Sequence, residues 1–312
     1  MAVVIQSNNV YTGNKALPNI IDSITQTSSK TQFLKKLYAT INGDTSYITD
    51  ANSDVLFDSL KAHRTRVLAD GGLIPSLANT LRAFIFAHQN SLVIANYSAF
   101  AADFGIKLVG TSNTITKLYD IAGRDMKVNS GTFERATDAG FNVLKNTATS
   151  TLISESYILG NQGMILGSSL HDADAGSSSS AAVKGMYMSD TANGSGVGVG
   201  YLESNQGGSS RLYYKLQANN TMTSLPYDQT VNYKKYSGLV GYLSNSNNRV
   251  EIYENGNLKA GATAAQVDLS AVNIYPVISA LSLNSFIRES WIIRNTSQNL
   301  AMLLSNYLNK SV

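Results

Sequence analysis

RVEIYENGNLKA, residues 249–260, is the stretch on which the fold turns. Val250, Ile252 and Tyr253 are β-branched and aromatic residues suited to a strand. Asn255-Gly256 is the dipeptide that most readily takes the two positive φ angles of a type I′ turn. Asn257 and Leu258 lead out into a return strand, so a two-stranded hairpin is the first secure element. SGLVGYL at 237–243 precedes it as a further strand. ESWIIR at 289–294 follows and runs into a helix capped by Thr296 or Ser297, with Leu300, Leu303, Leu304, Tyr307 and Leu308 on one apolar face.

Composition narrows the function classes. The 312 residues can bury a sizeable core without staples. With no cysteine, neither disulfides, thiolate metal sites nor a cysteine nucleophile is available. Charged residues make up 14%, against about 25% in ordinary soluble domains, and the net charge is only +3. No Lys/Arg cluster interleaves with aromatics, which argues against nucleic acid as a partner. The 17 Tyr, set among Ser, Asn and Gly, suit contact with sugars or with neighbouring subunits, and equally suit strands whose hydroxyls reach a sandwich rim. MAVVI at the start is too short for a signal-peptide core, and the apolar run at 81–88 is short and broken by Arg82. The expectation is synthesis in the cytoplasm and no membrane insertion.

Along the chain the hydrophobic period changes once. Leu17, Ile20, Ile21 and Ile24, then Phe33, Leu34, Leu37 and Tyr38, fall at helical spacing. A clearer helix follows, capped by Ser53 or Asp54, with Val55, Leu56, Leu60, Val67 and Leu68 inward and Gly71-Gly72 as its stop. Pro75 opens the next helix, whose Leu77, Leu81, Phe84 and Ile85 face one way. From residue 92 the period is two, with short strands at 92–94, 106–109, 115–119, 141–144, 151–159, 164–166, 183–188 and 211–216. Ser177 to Ser180 reads as a solvated loop. Gly194, Gly196, Gly198 and Gly200 alternate with Val197, Val199 and Tyr201, a strand with one bare face open to close approach. The division expected is 1–91, an N-terminal arm and helical hairpin serving assembly, and 92–312, a β-sandwich.

Catalytic and metal patterns find little support. His63, His88 and His171 are scattered, with no pair spaced to hold a metal. His63 and His88 read as exposed or boundary residues of helices, and His171, with Asp172 and Asp174 after it and Ser168-Ser169 before it, as a solvated turn. Asp50, Asn52 and Asp54 open like a calcium loop, but Val55 and Lys61 stand where its glycine and glutamate belong, so helix capping is the preferred reading. The glycines at 194–200 miss the dinucleotide register, because Val199 holds the place of the third glycine. A glycosidase needs two carboxylates flanking one bond. Glu251 and Glu254 have odd spacing, and only convergence of Glu203, Glu251 and Glu289 from separate strands would supply the pair. The sequence therefore offers no catalytic, cofactor-binding or metal-ligating residues and no cofactor, and predicts a non-enzymatic protein.

The order of strand, Y-x-N-G turn at 253–256, closing strand and helix resembles concanavalin A-like (laminin-G-like) jelly-roll sandwiches. With RVLADGG at 66–72, KLYDIAGRD at 117–125, WIIRNTSQNLAMLLSNYL at 291–308 and the opening MAVVIQSNNVYTGNKALPNI, the chain resembles tailed-bacteriophage virion structural proteins. The resemblance implies a mainly β fold, a concanavalin A-like antiparallel jelly-roll sandwich with an N-terminal helical region and a short C-terminal helix. It also implies a virion accessory component, such as a capsid decoration, neck or tail protein, made in the host cytoplasm. Its partners would be other virion proteins, copies of itself and host surface glycans. Two alternatives stand beside it, a carbohydrate-binding host-attachment adhesin and a polysaccharide depolymerase.

Overall fold

The computed structural model describes residues 18–146, 150–155, 157–158, 163–172, 183–189, 196–204, 207–214, 223–227, 236–244, 249–263, 273–280, 285–294 and 297–309, for some strands the backbone alone. Four helices lead: α1 (Pro18–Ser23), α2 (Thr27–Ala39), α3 (Asp50–Ala69) and α4 (Leu77–Gln89). Strands follow, and α5 (Gln298–Leu308) comes after the last of them.

The strands form two antiparallel sheets. The eight-stranded sheet runs β16 (Asn257–Thr263), β15 (Arg249–Glu254), β14 (Ser237–Ser244), β9 (Met164–Asp172), β18 (Ser285–Arg294), β6 (Phe141–Asn146) and β5 (Phe133–Asp138), with β1 (Tyr97–Phe100) also paired to β18. The ten-stranded sheet runs β13 (Thr223–Tyr227), β12 (Gly207–Tyr214), β11 (Gly196–Ser204), β10 (Val183–Ser189), β17 (Asn273–Ala280), β7 (Ser150–Ser154), β4 (Met126–Ser130), β3 (Ile115–Leu118) and β2 (Ile106–Leu108), with β8 (Tyr157–Ile158) on β17. The protein is thus the mainly β, two-sheet sandwich with a short C-terminal helix that the sequence predicts.

Alternation along each strand builds the layers. Leu166, Met186, Met188, Leu239, Ile252, Ile278 and Ile292 fill the space between the sheets. On β18 the neighbours Trp291 and Ile293 point the other way, joining Ile165, Val240 and Tyr242 beneath Phe84 and Phe86 of α4 and Leu304, Tyr307 and Leu308 of α5. Every residue of β14 is buried as a result. Leu34 of α2 and Leu56, Phe57 and Leu60 of α3 continue the same apolar cluster behind α4. The helices at 18–89 and the sandwich therefore share one core.

Asn255 (φ 52°) and Gly256 (φ 80°) make the expected turn, with Glu254 opposite Asn257 in register. Elsewhere the chain departs from its local signals. α3 starts at Asp50, where Asn52 Oδ1 accepts from the Thr49 amide at 3.0 Å. Ser53 and Asp54 lie inside that helix, Ser53 bonded back to the Thr49 carbonyl at 2.6 Å and Asp54 paired with Lys30 at 3.0 Å. Val55 is 54% exposed and Leu68 39%, because the inward stripe runs through Leu56, Phe57, Leu60 and Val67. Ser76 caps α4, accepting from the Asn79 amide at 3.2 Å, so Pro75 precedes the helix. Residues 92–94 pair with no strand: Val93 and Ile94 are exposed and the chain turns through a short 3-10 segment, Ile94–Asn96. Residues 1–17, 173–182 and 190–195, with Asp174, the Ser177 to Ser180 loop and Gly194, lie outside the described residues.

Candidate functional site

Helices cover the outer face of the eight-stranded sheet, whereas no described helix packs across the centre of the ten-stranded one. On β4, β7 and β10 the residues facing the other sheet are Met126 and Val128, Leu152, and Met186 and Met188. The alternate residues therefore face outward. In register across adjacent strands these are Lys107, Lys117, Lys127, Ile153, Val277 and Tyr187, on β2, β3, β4, β7, β17 and β10. Gly198 of β11 stands next in the row, opposite Tyr187, and has Tyr213 of β12 as its other partner. Bare backbone therefore adjoins the half-buried Tyr187, as the glycine alternation predicts. Burial pushes the Tyr187 hydroxyl up from its ordinary value. Beside Lys127, the exposed Asn129 amide donates to the Thr151 hydroxyl at 3.4 Å, and the Ser130 and Thr151 hydroxyls share a bond of 2.8 Å.

Two motifs far apart in sequence meet at one end of this row. Arg66 of RVLADGG donates to both carboxylate oxygens of Asp125 of KLYDIAGRD, each at 2.7 Å, and to the Asp120 carbonyl at 2.5 Å. Asp70 accepts from Lys117 at 2.9 Å, from Lys107 at 3.1 Å and from the Tyr119 hydroxyl at 2.7 Å. The bonds from Lys117, Tyr119 and Lys107 hold the Asp70 carboxyl well below the usual range. The Asp120 side chain is buried, accepting from the amides of Ala99, Ala122 and Arg124, and burial raises it to about 6 against those bonds. This network ties the end of α3 to the edge of the sandwich.

The carboxylates considered for catalysis are placed apart and engaged. Glu289 is buried, paired with Arg82 of α4 and accepting from Trp291 Nε1 at 2.6 Å. Glu251 is also buried, accepting from the Tyr253 hydroxyl at 2.6 Å, from Gln298 at 3.0 Å and from Arg249. Strands β14 and β9 lie between them, a separation of about 14 Å from strand spacing alone, beyond the roughly 5–9.5 Å of a glycosidase pair. Glu203 lies on β11, of whose side chains nothing is described.

The histidines correct one reading. His63 is buried, and its Nε2 donates to the Phe104 carbonyl at 2.8 Å, which helical periodicity could not reveal because the partner comes from the sandwich. Burial pushes it down to about 4. His88 is half-buried and shares a 2.5 Å bond with the Tyr47 hydroxyl. His171 belongs by its backbone to the end of β9, opposite Phe286, and so lies in a strand and not in a turn. Among the described residues no group of His, Asp and Glu is arranged to hold a metal ion, and no helix is long and apolar enough to cross a membrane.

No protein-family model matches the chain, and no characterised sequence matches it. Among solved structures, it is similar to the botulinum neurotoxin serotype D binding domain at 15% identity and TM-score 0.47, over 64% of this chain and 53% of that one. It is similar to Trypanosoma rangeli sialidase in complex with sialic acid at 12% identity and TM-score 0.48, over 70% of this chain and 33% of that one. It is similar also to domain 4 of AbnA, a GH43 extracellular arabinanase from Geobacillus stearothermophilus in complex with arabinotriose, at 13% identity and TM-score 0.41, over 56% and 82%. The chain spans about half of the toxin domain and a third of the sialidase.

Proposed function

We propose that the chain is a non-catalytic carbohydrate-binding β-sandwich, carried as an accessory structural component on the capsid, neck or tail of a bacteriophage particle. The observation behind the binding reading is the outer face of the ten-stranded sheet, where the half-buried Tyr187 and Ile153 flank the buried Val277 and the backbone of Gly198 stands next to Tyr187 in register. A sugar ring has an apolar face and a rim of hydroxyls. It packs on an aromatic and aliphatic floor and bonds to short side chains such as Asn129 and Thr151. The non-catalytic reading is supported by the engagement and separation of Glu251 and Glu289. The particle reading rests on the resemblance of RVLADGG, KLYDIAGRD and the C-terminal stretch to virion structural proteins.

Wild-type protein on an array of host surface glycans should bind without releasing sugar, and Tyr187→Ala should weaken binding at least ten-fold while the chain still unfolds in one cooperative transition, at a somewhat lower temperature because Tyr187 is half-buried. Oligosaccharide release by the wild type would make it a depolymerase, and equal binding by the variant would move the ligand off this face. Cryo-electron microscopy of the particle, with the chain absent from its shell, neck and tail, would remove the structural role.

A further inference from the structure

We propose that the ligand of this face is an acidic oligosaccharide whose carboxylate is received by Lys127; the inference rests on the binding reading above. Lys107, Lys117 and Lys127 stand opposite one another on three adjacent strands. Like charges in direct register across strands are destabilising unless something neutralises them. The first two are neutralised from within, Lys107 by Asp70 at 3.1 Å and Lys117 by Asp70 and Asp125, each at 2.9 Å. Lys127 is exposed and no carboxylate pairs with it among the described residues. It springs from a strand, in a chain with few charges, at the point where the charged end of the row meets the apolar one.

What surrounds Lys127 selects the class of anion. Ile153 is its register partner on β7, Asn129 lies two residues along β4, and Thr151 lies two residues from Ile153. A single ammonium among a methyl-rich floor, an amide and hydroxyls fits one carboxylate set on a ring with hydroxyls. From β4 to β10 are three strand steps, about 14 Å, a length that a short oligosaccharide matches, and because Val277 midway is buried its contacts along the row are Lys127, Ile153 and Tyr187. A nucleic acid would need repeated phosphate contacts, and the row's other two lysines are already occupied.

The test is calorimetric titration of the full chain with a panel of carboxylated oligosaccharides (trigalacturonate, hyaluronan fragments, sialyllactose), each beside its neutral methyl ester. For at least one acid, the wild type should bind ten-fold or more tightly than the ester, with added salt eroding the difference. Lys127→Gln should erase the preference while leaving the weak binding of the ester, and Lys127→Arg should keep it. Equal affinity for acid and ester, or a preference that survives Lys127→Gln, would overturn the proposal. Esters and acids bound alike, and both lost in Tyr187→Ala, would remove the acidic ligand and leave the sheet-face reading standing. A short DNA duplex or heparin bound as tightly as the acids, and weakened equally by Lys127→Gln, would mean general polyanion attraction and would also overturn it.

Discussion

His63 shows how a residue's meaning depends on what lies across from it. Buried neutral, it donates through Nε2 to Phe104 and leaves Nδ1 as an acceptor facing Arg66 at 3.4 Å. Its folded value of about 4 lies below the unfolded 6.5. The folded state therefore binds fewer protons, and the stabilisation from a neutral His63 is complete above about pH 6.5 and is lost as the pH falls toward 4. The linkage is worth roughly 3 kcal/mol at full extent. Asp103 and Asp120 oppose it, since burial raises each to about 6 and their protonation relieves a penalty over the same range. Urea titrations between pH 7 and pH 4 should show His63→Gln flattening the acid loss by about 3 kcal/mol relative to wild type; parallel curves would mean that His63 titrates normally.

The hairpin and the C-terminal helix form one locked element, and Gly238 on β14 is where they join. Its amide donates to Asn255 Oδ1 at 2.8 Å, while its carbonyl accepts from the Asn255 amide at 3.1 Å and the Ser305 hydroxyl at 2.7 Å. Ser305 accepts in turn from the Gly256 amide at 3.1 Å. A Cβ at Gly238 would overlap the Ser305 carbonyl oxygen and stand 2.7 Å from the Asn309 amide. Gly238→Ala should lift α5 off the sheet, costing roughly 1–3 kcal/mol or more, and should make the helix a site of early proteolysis; native protease resistance would contradict this seating. The hairpin, the α3–α4 pair and α5 were legible because turn dipeptides, caps and period-3.6 stripes are local signals. β4, β5 and β17 were not: MKVNS and FERATD are largely polar on their outward side, and Pro276 interrupts NIYPVISA. The candidate site was legible only as its glycine alternation. The lysine row exists through register, and Arg66 meets Asp125 only because two distant segments pack together.

At the scale of the molecule, helices, the eight-stranded sheet and the ten-stranded sheet are successive layers. Removing residues 1–49 takes Ile21, Leu34, Tyr38 and Ile48, each under a tenth exposed, out of the shared core. At about 1.5–3 kcal/mol per side chain and 2–4 °C per kcal/mol, the melting temperature should drop by roughly 10 °C or more. An unchanged melting temperature would show that these helices contribute nothing to the sandwich. β18 pairs with β9, β6 and β1, so it joins two halves of its sheet that are otherwise separate. On the ribosome, β1 emerges long before β18, and at typical synthesis rates the stretch between Phe100 and Ser285 takes on the order of 10 to 40 s. Until β18 emerges, β1, β6 and β9 each carry an unclaimed edge from the time of their own synthesis, a period in which those edges are open to pairing with the wrong neighbour.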